Sequence, residues 1–340
     1  MTASADRLPL ALTMGEPAGI GGEIALKAWA NHHGRLPAFF LIDDAERLQD
    51  LAKAFGLAVA IRRIEAPSEA AATFPKALPV LHQPLPKRVK PGQPAAENVP
   101  AIVGAIERAV ACVHQGEAAA LVTNPIHKLS LKAAGITYGG HTEFLAHLAG
   151  GEAEPVMLLA IDTLRVVPVT IHAPLRTVAQ HLTRERIVRC GRITAEGLKQ
   201  DFGISRPRLA VAALNPHAGE GGALGEEETT IIAPAVAELV ESGIVATGPH
   251  PADTLFHAKA RKTYDAVLCM YHDQALIPLK TIDFAGGVNV TLGLPFVRTS
   301  PDHGTAFDIA GRGIADETSL VAALKLADAI AARRGTGRPV

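Results

Sequence analysis

The sequence predicts an α/β fold built as two lobes with a cleft between them. Three observations carry that expectation. Short apolar runs alternate with helical stretches along most of the chain, the first run opens through a glycine turn into a helix, and 340 residues exceed what one hydrophobic core usually serves.

Leu8 to Met14 reads as the first strand, GEPAGIGGE (Gly15 to Glu23) as its turn, and Ile24 to Ala30 as a helix. The glycine spacing matches neither GxGxxG nor a phosphate loop, because Glu23 follows Gly22 where the latter requires Lys. A turn that needs positive φ and a Glu16 that faces the cleft are both open readings there. A strand over Ala38 to Ile42, a helix over Ala45 to Phe55 and a strand near Leu57 to Ile64 continue the βαβ pattern. Prolines between Pro67 and Pro100 exclude regular helix and suggest an extended crossing or arm. Ala96 to Gln115 is helical and feeds a strand, Ala118 to Val122, that stops at Thr123, Asn124 and Pro125. In YGGHTEFLAHLAG, Thr142 is placed to begin a helix, which sets His141 at an amino terminus that favours an anion. Pro155 to Ile161 and Leu164 to Ile171 form a hairpin around Asp162 and Thr163. A long helical tract, Leu175 to Phe202, leads to a strand over Arg208 to Leu214 and the loop NPHAGEGG. A helix over Glu226 to Glu241 and the loop GPHPADT follow. The apolar run Ala266 to Tyr271 ends at His272 and Asp273. HGTAFDIAG (His303 to Gly311) reads as a loop entering a helix, and Ser319 to Arg334 as an amphipathic closing helix with basic residues at its carboxyl end.

With 33 basic against 34 acidic side chains, the chain has no electrostatic footprint for nucleic acid or a membrane surface, so its partners are expected to be small molecules or copies of itself. The amino terminus has neither a basic leader nor an apolar run of membrane-spanning length. Cys112, Cys190 and Cys269 are widely separated and form no CxxC, which suits reduced thiols in a cytoplasmic protein.

His172, His217 and His272 each follow an apolar strand run, about one strand-and-helix unit apart, so neighbouring parallel strands would bring them to one edge. Each alone also reads as a hydrogen-bonded structural histidine. Together, three imidazoles with an open coordination position suit a catalytic divalent ion, Zn or Co most naturally. Lys280, Asn289, Arg298, His141 and Thr142 could bind a phosphate or carboxylate, Arg298 bidentately. Asp253 and Asp273 are candidates for a proton acceptor or for orienting a ligand, Asp273 the favoured one because it adjoins His272, and Lys280 joins them as a catalytic candidate.

These motifs, GEPAGIG near the start, then GGHTEFLA, TIHAPLR, NPHAGEGG, YHDQ and GVNVTLGLPFVRTSPDHGTA, resemble those of the 4-hydroxythreonine-4-phosphate dehydrogenase family nearly from end to end. The resemblance implies a fold similar to isocitrate and isopropylmalate dehydrogenases. A first α/β lobe of residues 1–135 and 300–340 would be the nucleotide side, and a second of 136–299 would carry metal, substrate and dimer contacts. It further implies a homodimer with an active site shared between subunits, NAD or NADP as cofactor, and a divalent metal, Zn, Co or Mg, on His172, His217 and His272. Substrate contacts are implied for His141, Thr142, Lys280, Asn289 and Arg298, and nucleotide contacts for His303, Gly304, Thr305 and Asp308. HGTAFDIAG departs from the usual HGSAPDIAG of the related dehydrogenases at Phe307. The implied reaction oxidises 4-phosphooxy-L-threonine to 2-amino-3-oxo-4-phosphooxybutanoate, which decarboxylates to 3-amino-2-oxopropyl phosphate in pyridoxine 5'-phosphate biosynthesis.

Other readings stay open beside it. A related dehydrogenase of threonate or erythronate 4-phosphate would use the same groups. A metal-dependent hydrolase or aldolase would need no nucleotide loop, and a phosphate-binding acyltransferase would need no three histidines.

Overall fold

The computed structural model describes residues 7–127, 132, 135, 141–150 and 153–336. The chain divides into two compact units, Met1–Pro155 with Leu294–Val340, and Val156–Gly293. The two-unit α/β expectation therefore holds.

The first unit opens with β1 (Leu10–Thr13), α1 (Gly21–His32), β2 (Phe39–Asp43) and α2 (Ala45–Ala54). β3 (Ile61–Ile64), β4 (Leu78–His82), α3 (Val99–His114), β5 (Leu121–Thr123) and α4 (His141–Leu148) follow. The strands lie in the order β3-β4-β2-β1-β5, all parallel. β1 and β2 are buried along their whole length, as parallel strands covered on both faces must be. α2 begins where the Asp44 carboxylate accepts the N–H groups of Glu46 and Arg47 at 2.9 and 3.2 Å. β4 corrects the expectation of an arm between Pro67 and Pro100. Its Pro79 is tolerated because pairing with β2 starts only at Val80, so the missing N–H falls outside that ladder. The unit runs to residue 155, beyond the 135 expected, since Phe144 and Leu145 of α4 are buried in the same apolar cluster as Ile102 and Ile106 of α3.

The second unit contains β6 (Val156–Ile161), β7 (Leu164–Thr170), α5 (Arg184–Gln200), β8 (Arg208–Ala212) and α6 (Ala233–Glu241). It continues with β9 (Val245–His250), β10 (Ala266–Tyr271), α7 (His272–Ile282) and β11 (Val288–Leu292). Its strand order is β11-β6-β7-β10-β8-β9. β6 and β7 form the expected antiparallel hairpin, whereas β7, β10, β8 and β9 are mutually parallel neighbours. Three local readings change. The tract Leu175 to Phe202 breaks at Thr183, whose hydroxyl accepts the Arg186 N–H and caps α5. The GPH segment belongs to β9 rather than a loop. His272 and Asp273, read only as the end of an apolar run, open a helix.

The chain then returns to the first unit as β12 (Arg298–Pro301), parallel to β5, and α8 (Thr318–Arg334), held to β12 by the Thr299 hydroxyl donating to Ala323 O at 2.9 Å. HGTAFDIAG forms turns, and the helix expected directly after it begins only at Thr318. No helix among the described residues is long and apolar enough to cross a membrane.

Candidate functional site

In the second unit, the carboxyl ends of β7, β10 and β8 lie side by side, with Thr170 opposite Tyr271 and Val211 opposite Leu268. Side chains tie these ends together. Thr170 Oγ1 donates to Met270 O, Gln274 Oε1 accepts the Met270 N–H, and Gln274 Nε2 donates to Ala213 O, each at 2.7 Å. The edge they fix is where His172 and His272 emerge. Their rings stand 6.0 Å apart, centroid to centroid, tilted by 36°. Asp273 Oδ1 lies 2.7 Å from His272 Nδ1, which leaves Nε2 as the outward nitrogen.

His217 belongs to the same edge, past the end of β8, but on an unusual turn. His217, Ala218, Gly219, Glu220 and Gly221 all have positive φ. The buried Glu228 carboxylate anchors this turn by accepting the N–H groups of Leu214 and Asn215 at 2.8 and 2.7 Å. Burial pushes the Glu228 carboxyl up, yet the bonds from Asn215 and Leu214 outweigh it and hold it below the usual carboxylate range. Among the described residues no three His, Cys, Asp or Glu side chains stand together as an ion cage. The structure thus brings His172, His272 and Asp273 together, with His217 exposed on the neighbouring turn. By ligand type, the His172–His272 pair with one ring nitrogen held by a carboxylate suits a divalent transition ion, while the third imidazole of the expected set, His217, stands apart on its turn among the described residues.

Lys280 sits in the last turn of α7 with its ammonium 5.4 Å from the Phe284 ring centroid. Asn289 lies on β11, and its Oδ1 is buried with no hydrogen-bond partner among the described residues, an atom that a ligand or water would satisfy. Asp253 is exposed in a short turn, and nothing among the described contacts draws it to the histidines. In the first unit, Arg298 is 4% exposed and donates from Nε and Nη2 to Thr123 Oγ1 at 3.2 and 2.7 Å. Burial pushes its guanidinium down to about 10, so it stays charged at neutral pH. The helix α4 begins at His141 rather than at Thr142, so Thr142 is half-buried within its first turn, and the His141 side chain lies outside the described residues.

Three loops of the first unit meet at the carboxyl end of β1. Ile20 N–H donates to Thr305 O at 3.1 Å, and Gly92 N–H to Ala18 O at 2.8 Å. Gly19 must lack a side chain, because a Cβ there would fall 2.7 Å from Thr305 O. Beside them opens a cavity of about 790 Å³, the size of a small-molecule site, lined among others by Pro17, Gly19, Arg47, Phe55, Arg88 and Gly311. Gly311 is the member of HGTAFDIAG that reaches it, not His303, Gly304, Thr305 or Asp308. Gly304 and Asp308 are exposed, while His303 Nε2 is buried without a partner among the described residues. Phe307 packs edge-on against His127 at 5.0 Å. Glu16 is 2% exposed, and burial raises its carboxyl above the usual range despite the Ala18 N–H it accepts and the charge of Arg47.

Two supporting groups escaped the sequence reading. Lys27 Nζ donates to Gly313 O and Ala315 O at 2.9 and 2.6 Å and pairs with Glu23, which in turn accepts the Ala315 N–H at 2.8 Å. Their i, i+4 spacing was legible, but it is equally that of an exposed helix pair. Glu228 sits in the run EEET, which reads as a solvated face.

The family model described as pyridoxal phosphate biosynthetic protein PdxA matches residues 35–327. A 4-hydroxythreonine-4-phosphate dehydrogenase of Caulobacter vibrioides is 56% identical over 332 residues, covering 96% of this chain and 98% of the relative. One of Bradyrhizobium diazoefficiens is 55% identical over 338 residues, with 96% and 98% covered. The crystal structure of 4-hydroxythreonine-4-phosphate dehydrogenase from Klebsiella pneumoniae matches with a TM-score of 0.85 at 40% identity, covering 95% of this chain and 99% of that one.

Proposed function

The chain belongs to the pyridoxal phosphate biosynthetic protein PdxA family, and from that premise we propose that this oxidoreductase oxidises 4-phosphooxy-L-threonine at its 3-hydroxyl with NAD or NADP, the β-keto acid product then losing carbon dioxide. The observation that carries this reading is the His172–His272 pair at the ends of adjacent parallel strands, with Asp273 on one ring. His172, His217 and His272 would hold a divalent ion, Zn, Co or Mg, which when bound polarises the alcohol oxygen and stabilises negative charge developing on it. Asp273 holds the His272 ring and is the nearer candidate for accepting the hydroxyl proton, with Asp253 the alternative. Lys280 and Arg298 neutralise the substrate phosphate, while Asn289, Thr142 and His141 contact its polar groups. His303, Gly304, Thr305 and Asp308 would hold the dinucleotide, and the cationic phosphate clamp would orient the carbinol of the substrate towards it.

The protein would work in the cytoplasm as a homodimer. Because His172 and His272 come from one chain, a site completed by the partner would share some other residue. Sedimentation that gives a monomer at assay concentration would exclude the dimer. The substrate reading is tested by absorbance at 340 nm with phosphorylated 4-hydroxythreonine and threonate 4-phosphate side by side, each with NAD and NADP. Faster turnover of the threonate would favour the related sugar-acid dehydrogenase instead.

A further inference from the structure

We infer that Glu228 is the positioning residue for His217, acting as the carboxylate that sets the turn from which this imidazole reaches the divalent ion. The inference rests on the proposed role of His217 as a ligand. It starts from the backbone between β8 and α6. Five successive residues, His217 to Gly221, have φ of 53, 54, 76, 46 and 68°, and three of them are not glycine. L-residues enter the left-handed region singly and at a cost, so a run of this kind persists only where its surroundings over-determine it. The turn closes on itself at its far end, where Leu224 N–H donates to Gly219 O at 3.0 Å.

Glu228 anchors it from outside the turn. It is 2% exposed and opens the π-helical turn Glu228–Ile232 that leads into α6. Oε1 accepts both Leu214 and Asn215 N–H, and Oε2 accepts Asn215 Nδ2 at 3.0 Å. A Cβ on Gly219 would fall 2.6 Å from the same Oε2, so the carboxylate also braces the middle of the turn. One buried acceptor-only group therefore fixes the stem two residues before His217 and abuts the turn two residues after it. Its burial is tolerable only while those donors are in place, which makes carboxylate and turn mutually dependent. An amide of the same shape cannot substitute. With its oxygen kept on the backbone N–H pair, its NH2 would face the Asn215 donor.

The test uses metal-free full-length protein and Co(II) alone as the probe, read by calorimetry and by the visible absorption of bound cobalt. Glu228→Gln is expected to weaken cobalt binding about tenfold to a hundredfold and to shift its spectrum towards that of His217→Ala. In the His217→Ala background the same change should weaken binding no further, which a general loss of structure would not reproduce. Native cobalt affinity and spectrum in Glu228→Gln, with His217→Ala impaired, would overturn the positioning role while leaving the ligand assignment intact. Native binding by His217→Ala would overturn the assignment itself, and the inference with it. Should Glu228→Gln not fold, Asn215→Ala decides, because it removes the side-chain donor to Oε2 and leaves the turn's backbone unchanged. Weakened cobalt binding in that variant supports the inference, and native binding overturns it.

Discussion

Replacing Lys27 by Met should loosen the segment that carries HGTAFDIAG without touching the segment itself. Lys27 reaches from α1 to Gly313 O and Ala315 O, and Glu23 beside it accepts the Ala315 N–H, so one ion pair clamps both polar groups of Ala315. The side chains are 14% and 2% exposed, which places the pair in the interior. Removing one member of a buried pair costs about 3–5 kcal/mol, because the other charge is left uncompensated. The hydrogen bonds to the two carbonyls are part of that same loss, and the residual exposure of Lys27 puts the expected value near the lower end, about 3 kcal/mol. Equilibrium urea unfolding at 25 °C measures it. The double change Glu23→Gln with Lys27→Met should recover part of the loss, since no orphaned carboxylate remains. Kinetically, KM for the dinucleotide should rise more than kcat falls. A loss below about 1 kcal/mol in Lys27→Met, or a double variant worse than the single by the full cost of a second buried pair, would refute the clamp.

Further outcomes follow from the same contacts. His272→Ala removes one of the three imidazoles proposed to hold the ion, so metal content and activity should fall together, and undiminished metal by elemental analysis would contradict the ligand assignment. Arg298→Lys keeps the charge but loses the fork that Arg298 now spreads over Thr123. It should raise KM for the phosphorylated substrate about tenfold, and equal turnover of dephosphorylated substrate would dismiss the phosphate clamp. Burial pushes the Asp265 carboxyl up, but hydrogen bonds from the Arg208 guanidinium and backbone N–H outweigh it and hold it below the usual range. A carboxyl depressed on folding contributes stability above its unfolded pKa of about 3.9 and loses it as pH falls through the lower folded value. Asp265→Asn should therefore be less stable at pH 7, by up to about 1 kcal/mol given the half-exposed Arg208, with the gap closing in acid below that range. A gap independent of pH would rule this out.

Much of the scaffold was legible because it follows period and punctuation. Apolar runs marked β7, β8 and β10, and the shared edge of β7 and β10 that carries His172 and His272 follows from their being parallel neighbours, whereas His217 lies beyond Ala212 on a turn of its own. What escaped was decided by tertiary context. β4 was masked by Pro79, which is harmless where it stands, and β9 by Gly248 and Pro249, which edge positions tolerate. α7 starts directly at His272 because Gln274 of its first turn finds partners in β10 and after β8, neither of which periodicity reveals. The left-handed turn at His217 could not be read either, since His, Ala and Glu give no sign of positive φ.

The proposed reaction is a cation-assisted oxidative decarboxylation of a phosphorylated hydroxy amino acid. Its most direct measurement follows 4-phosphooxy-L-threonine labelled with ¹³C in the carboxyl group, with NADH read at 340 nm and labelled carbon dioxide read by mass spectrometry in the same reaction. One carbon dioxide is expected for each NADH, both abolished by a chelator and both restored by a divalent ion in native protein but not in His172→Ala. Inorganic phosphate released without NADH, or NADH formed at full rate in His172→Ala, would contradict it.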